Sequence, residues 1–362
     1  MPDAGRLFGV DGRAGRLAGV DGRASLAGLG AAGLVAAAIV LGSRGLRDYD
    51  TALAAYTLGS LLAAFCVSYR TALWLRRPAA RLYARRGLEL LLRGRGHASY
   101  AAHRGLVDVA AQRFVARRSR ARWLAHLCLS WGTMLAAAVT FPLVFGWVHF
   151  ETRVDDPRVY EVVALGARVL AFDVDSPVRH VLFNLLNASG VMVLFGAAYF
   201  LQRRLADPGM RARQQIVHDL LPLLLLLAIA VTGLMLTASA KLMDGYGYGA
   251  VAALHALAVV GTLLYLPFGK LFHAVQRPLH VAVGLARRAD AETPAVRCAA
   301  CAAAFAGAGQ LAHLKVVLAE VGLDWPLPSA AADRGARHYS DVCPACRRRL
   351  LGFAQGAVMG RG

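Results

Sequence analysis

The sequence predicts an all-α integral membrane protein: a bundle of about six transmembrane helices followed by a small cytoplasmic four-cysteine metal-binding tail. Three observations lead there. The 362-residue chain is 57% hydrophobic yet carries a formal charge of +19, with a positive mean hydropathy of +0.47. Membrane proteins with basic loops reach that combination readily and soluble proteins rarely do. The apolar residues are gathered into six runs, each near the ~20 residues that cross a bilayer. Beyond the last run stand two Cys-x-x-Cys knuckles.

Taken in order, residues 1–23 read as a flexible tail, because GRLFGVDGRA (5–14) is repeated as GRLAGVDGRA (15–24). One decapeptide copied twice falls short of the three or more units that stack into a repeat fold. The membrane bundle is expected over 24–277, with spans near 24–42, 50–75, 123–149, 178–201, 219–240 and 250–274. The stretch 76–122 holds thirteen Arg against Glu89 and Asp108. Another basic stretch, 202–217, holds Arg203, Arg204, Arg211 and Arg213, whereas 150–179 is acidic through Glu151, Asp155, Asp156, Glu161, Asp173 and Asp175. The positive-inside rule then puts both basic loops and both termini in the cytoplasm. Basic charge spread between apolar spans argues against nucleic acid as a partner and for a lipid bilayer. The scarcity of Lys (only Lys241, Lys270 and Lys315) amid abundant Arg, Ala and Gly fits a GC-rich bacterial genome, hence the bacterial inner membrane.

The histidines carry the chemistry. His255 and His273 stand eighteen residues apart at opposite ends of the sixth run, HALAVVGTLLYLPFGKLFH. On one helix that is five turns, with the rings on one face about 27 Å apart, close to the ~30 Å hydrocarbon core. Such a stripe suits two haems at different depths, each held by an imidazole from either side. His126, at the start of the third run, is expected at the depth of His273. Arg122, Lys270 and Arg277 would lie near haem carboxylates. The bland alternative is that interfacial histidines bond headgroups or backbone carbonyls, and it is the default for His97, His103, His218 and His280.

The run from His255 to Pro278, with its PF before the second His, resembles the last helix of the cytochrome b membrane (gamma) subunit of respiratory nitrate reductases. The preceding DLLPLLLLLAIAVTGLMLT, with Asp219 and Gly233, is similar to that family's penultimate helix. The likeness covers roughly 120–280 and is clearest over 219–278. It implies a quinol-linked cytochrome with one or two b haems. Electrons would pass between quinone and a cytoplasmic molybdenum or iron–sulfur oxidoreductase subunit. The family's second helix carries two histidines ten residues apart; here His126 matches the first and Ala136 stands at the second. His149 and His180 are the candidate partners for His255, with His149 preferred at the outer end of the third span. A quinone site is expected beside His255, with His149, Lys241 and Asp244 as polar candidates.

The tail, 278–362, holds Cys298 and Cys301 (CAAC), a short helix near 309–322, then Cys343 and Cys346 (CPAC), with forty-one residues between the two knuckles. Four thiolates make one tetrahedral site. A reducing compartment argues against disulfides, and a tail this small gains folding energy from a metal. Zinc is the first choice, a rubredoxin-like iron the second and an iron–sulfur cluster the third. Cys66 and Cys128 fall within spans as packing residues. Two other functional classes compete. A haem-free anchor would dock a partner through its zinc tail. A transporter would show charged, broken helices in two matching halves, which this sequence lacks.

Overall fold

The computed structural model describes residues 21–323 and 338–359; most of the N-terminal repeat lies outside them. The protein is all-α in class, with six helices long and apolar enough to cross a membrane: Gly22–Gly42, Thr51–Leu75, Arg120–Val144, Pro177–Ala206, Ile216–Leu242 and Tyr248–Tyr265. Two compact units divide the chain. One comprises Asp21–Ala72 and Leu106–Gln276; the other includes Leu73–Gly105 and the residues from Arg277 on.

In the first unit, α1 (Gly22–Gly42) starts on an Asp21 side chain that accepts from the Ala24 N–H. It meets α2 (Ala54–Leu75) where Gly28 lies against Phe65. Helix α2 meets α10 (Tyr248–Tyr265) where Gly59 faces Val260 and Leu263. From there α10 packs on α9 (Leu221–Leu242), α9 on α7 (Pro177–Ala206) and α7 on α6 (Arg120–Val144). The ring closes through a cluster of Ile39, Val144 and Phe145 with Leu53, Tyr56 and Trp147. Between α6 and α7 the backbones approach closely over Gly132, Ser189 and Gly196. A Cβ on Gly196 would stand 2.6 Å from the Ala125 carbonyl oxygen and 2.8 Å from the Leu129 nitrogen. Small residues at such a seam substitute van der Waals contact for the hydrophobic drive that lipid does not supply. Gly196→Val should therefore cost about 2–3 kcal/mol by overpacking, read as a lowered unfolding midpoint in detergent. Gly33→Val, at a site open to 4 Å, should be nearly neutral. Leu26, Leu34, Leu62, Met134, Val191 and Leu257 stay exposed on these helices, the belt a bilayer would cover.

The third span ends earlier than the sequence predicts. Gly146, at φ +68°, closes α6 in a Schellman motif: Trp147 N–H donates to Pro142 and Gly146 N–H to Leu143. The chain then enters an antiparallel meander, β1 (Val148–Thr152), β2 (Val159–Ala164) and β3 (Ala167–Asp173). The β2–β3 turn uses Leu165 and Gly166, both at positive φ, the two-residue geometry whose twist matches the strands. Glu161 is buried in the meander between Arg153 and Arg168.

The sixth span also stops short. Helix α10 ends at Tyr265, a turn holds Leu266–Gly269, and a short 3-10 turn (Lys270–Phe272) leads into α11 (His273–Ala291). Pro267 has no N–H to continue the ladder. Gly269 leaves room for the Tyr265 ring, with which any side chain would collide. The Tyr265 hydroxyl is thereby free to donate to the Val217 carbonyl, 2.6 Å away. The expected five unbroken turns from His255 to His273 are thus corrected: the two residues belong to different helices.

The second unit is helical around a small hairpin. Helix α3 (Pro78–Arg93) packs its Gly87 against Ala282 of α11, and Leu90, Leu285 and Ala286 form a core with Tyr83 and Tyr100. Strands β4 (Ala295–Arg297) and β5 (Ala304–Gly307) pair antiparallel and lead to α12 (Ala308–Glu320), close to the expected 309–322. Asp290 is buried on α11 and takes His313 of α12 at 2.9 Å. Arg81 of α3 pairs with Glu320 at 2.5 Å. The basic stretch after the second span is therefore partly folded into the same unit as the cysteines.

Candidate metal centre and membrane histidines

The four cysteines meet. Cys298 and Cys301 lie on the loop between β4 and β5, and Cys343 and Cys346 at the start of α13 (Pro344–Met359). Their sulfurs all lie within 4.8 Å of one another, with Cys301 and Cys343 3.8 Å apart. An ion holding four sulfurs at ~2.3 Å in a tetrahedron spaces them by about 3.8 Å, so the donor set fits zinc or a single iron. The first knuckle turns because Ala302 adopts φ +56°, its N–H donating to the Cys298 carbonyl. Backbone N–H groups also point at sulfur: Cys343 N–H on Cys298 Sγ at 3.2 Å and Cys346 N–H on Cys343 Sγ at 3.5 Å. Such donors stabilise thiolates and orient ligands. Behind them Val342 is fully buried, with Phe305, Tyr339 and Leu350 around it, a core too small to hold this module alone.

Charge is unevenly shared among the thiols. Burial raises Cys298, but the N–H groups of Cys343, Ala300 and Cys301 outweigh it and bring the thiol down to about 6. Hydrogen bonds from Cys346 lower Cys343. Sulfur contacts with Cys301 and Cys343 push Cys346 up to about 12. A lowered thiol stabilises the fold above its unfolded value near 9 and loses that contribution as pH falls through the folded value. A raised thiol contributes below 9 and loses it on the way to 12. The metal-free protein should accordingly gain stability from pH 6 to 9 and lose it above 9, a maximum that thermal unfolding across that range would locate.

The histidines nominated by sequence fall in different settings. His126 lies on α6, edge-on to Phe200 of α7, with Nδ1 2.5 Å from the Gln112 amide oxygen. The roles follow from the network. Ser130 Oγ donates to the His126 carbonyl, so it accepts from Gln112 Nε2 at 2.7 Å. That turns the Gln112 oxygen to the ring and requires Nδ1–H. His255 on α10 repeats the pattern: Thr232 Oγ1 donates to the Ala228 carbonyl and accepts from His255 Nδ1 at 2.9 Å. Gly233 lets the His255 ring approach α9, since a Cβ there would lie 3.3 Å from the ring. His273 Nδ1 meets the Lys270 carbonyl at 2.5 Å. In all three rings Nδ1 is the nitrogen bonded to an oxygen of the protein, as in a metal-ligating histidine oriented by its surroundings.

His149 does not extend α6. It sits on β1 opposite Val163, beside Glu151, so the proposed helical rise from His126 to His149 is corrected by the Gly146 stop. His180 opens α7, with Nδ1 near the Ser176 carbonyl. Lys241 reaches Asn184, and Asp244 lies in the turn before α10 at φ +49°.

Gln112 escapes a reading by sequence. It is buried and held in the left-handed region at φ +50°, a conformation costly for a residue with a Cβ. Two indoles pin the segment leading to it: Trp123 donates to the Ala111 carbonyl at 2.7 Å and Trp131 to Ala110 at 3.0 Å. The π-helical turn Gly105–Ala110 ends there. Nothing in the string AAQRF marks the glutamine; only its backbone angle and partners do.

His273 shares a pocket with His218 rather than with His126. This cavity of about 600 Å³ is lined by Arg70, Arg213, Asp219, Lys270 and Phe268 besides the two histidines. Asp219 is buried at the start of the fifth span; it bonds Lys270, pairs with Arg204 at 3.3 Å and accepts from the Gln215 N–H at 2.9 Å. Arg70 stacks over Phe272 at 4.4 Å and donates to the Pro267 carbonyl, locking the break after α10.

Fold and site define a multi-pass membrane protein that carries a four-cysteine cluster suited to a metal ion. No family model, no curated protein and no solved structure matches the chain.

Proposed function

We propose that the protein is a membrane-bound b-type cytochrome subunit, passing electrons between quinone and a cytoplasmic oxidoreductase of the molybdenum or iron–sulfur kind. The observation that carries this reading is the shared anchoring of Nδ1: in His126, His255 and His273 it bonds an oxygen of the protein, the arrangement of an imidazole that offers Nε2 to a metal. Haem, when bound, supplies one-electron chemistry within the bilayer. The chain's own residues orient the imidazoles through Gln112, Thr232 and the Lys270 carbonyl. The four-cysteine unit would face the cytoplasm, hold zinc and dock the soluble partner. On this reading the bacterial inner membrane is the location, with the termini inside and quinone reacting near His255.

His273→Ala should remove at least half of the bound haem, as pyridine haemochrome quantitation of the purified protein would record. His126→Ala tests the pairing expected from sequence, and His218→Ala the pairing the pocket offers. Absence of any reduced-minus-oxidised b-type spectrum in the unaltered protein would discard the cytochrome reading. One observation favours a second reading, a haem-free anchor: Ala136 stands where the resembled family carries the second histidine of this helix. Unchanged haem and electron transfer after both the His126 and His273 substitutions would select it.

A further inference from the structure

The pocket beside His273 has features that the cytochrome reading does not require. It lies where the second span ends, the fifth begins and the sixth ends, three chain positions on one side of the bundle. Three cations, Arg70, Arg213 and Lys270, line it against one carboxylate, Asp219. Asp219 is already engaged by Lys270 and by Arg204. Among the described residues, Arg213 holds no hydrogen bond or ion pair, so the pocket keeps uncompensated positive charge. Its rim is the reverse. Phe268 is 66% exposed, and Ile216 and Val217 of the adjoining turn are exposed as well. A cationic cavity with an apolar lip at the level of span ends matches an amphiphile with an anionic head. Inorganic phosphate would satisfy the cations and leave the lip without purpose.

We propose that this pocket binds the phosphate headgroup of an acidic phospholipid, with Arg213 and Arg70 on the phosphate and an acyl chain along Phe268. Arg70 is already held in position, because its stacking on Phe272 and its bond to the Pro267 carbonyl fix the guanidinium at the break between α10 and α11. The break itself, made by Pro267 and Gly269, gives the headgroup room where a continuous helix would have filled the space.

The test is native mass spectrometry of the purified full-length protein with phosphatidylglycerol or phosphatidylcholine of identical chains. Phosphatidylglycerol should be retained in preference. Each cation near an acidic lipid contributes a factor of about five, so Arg213→Ala should weaken retention about fivefold. Arg213→Glu should weaken it further, and Phe268→Ser should reduce retention of both lipids. Arg213 is exposed and unpaired, so folding should survive its replacement, and an unchanged circular dichroism melt would show that it has. Equal binding of the two lipids, or no response to Arg213→Glu, would overturn the proposal. Full displacement by millimolar inorganic phosphate would also overturn it, marking a soluble oxyanion site. Haem-free protein from a haem-deficient host provides the last arm. Lipid binding that appears only there would reassign the pocket to haem carboxylates, whereas equal lipid binding with and without haem supports the headgroup.

Discussion

Cys343→Ser should abolish stoichiometric metal binding and unfold the module built around α12 and α13. Four sulfurs converge within 4.8 Å, and Cys343 is central among them: it contacts Cys301, its N–H supports Cys298, and its sulfur accepts from Cys346. Structural zinc in small modules contributes roughly 10–16 kcal/mol of apparent binding energy at neutral pH, which becomes folding energy where the apo core is small. The buried core here is little more than Val342 and its neighbours, so loss of the ion removes most of what holds the two knuckles together. Elemental analysis should fall from one ion per chain to none. Limited proteolysis should then cut between Arg297 and Cys343 while sparing the spans. Cys66→Ser and Cys128→Ser, both on spanning helices and neither among the four clustered sulfurs, should keep the full metal content. A Cys343→Ser protein that retains one tightly held ion would refute the assignment. Visible absorption separates iron from colourless zinc.

On the cytochrome reading, Gln112→Leu should produce the largest effect of any change outside the proposed haem ligands. It removes the acceptor at His126 Nδ1 and the donor to Ser130 while keeping approximate volume. Loss of an outer partner of a ligating histidine typically costs 10–100-fold in affinity for the bound group. The ring would lose the partner that orients it, and a hydrocarbon side chain would be left in the left-handed conformation that the glutamine tolerates through its bonds. The expected outcome is a protein with partial haem occupancy and a shifted midpoint potential. Gln112→Glu, which keeps the acceptor and adds charge, should retain haem and lower its potential. If neither variant moves the potential of a protein that does contain haem, Gln112 is merely a loop anchor.

The spans, their approximate limits and the four-cysteine constellation were legible because each rests on local chemistry: runs of apolar residues, and paired thiols at knuckle spacing. The short helix at 309–322 was legible from the same kind of pattern. The stop after Val144 had a signal, Gly146, that hydropathy alone passes over, since Phe145 and Trp147 keep the window apolar. The meander over 148–173 is short-stranded and acid-rich, so charge identified it as a loop before its alternation could be weighed. Pro267 and Gly269 are helix breakers visible in the string, but the eighteen-residue spacing of His255 and His273 fits an unbroken helix just as well.

What the sequence by itself determined is the number of crossings, the gathering of positive charge between them and the four sulfur donors, because burial, solvation and metal preference act residue by residue. The tertiary structure alone decided three other things. Tyr265 over Gly269 breaks the last span, Gln112 is delivered to His126 by two indoles, and His273 is placed among Arg70, Arg213 and His218. Each depends on groups that meet only in space, the Tyr265 hydroxyl reaching the Val217 carbonyl among them, and such meetings leave no periodic trace in a string of letters.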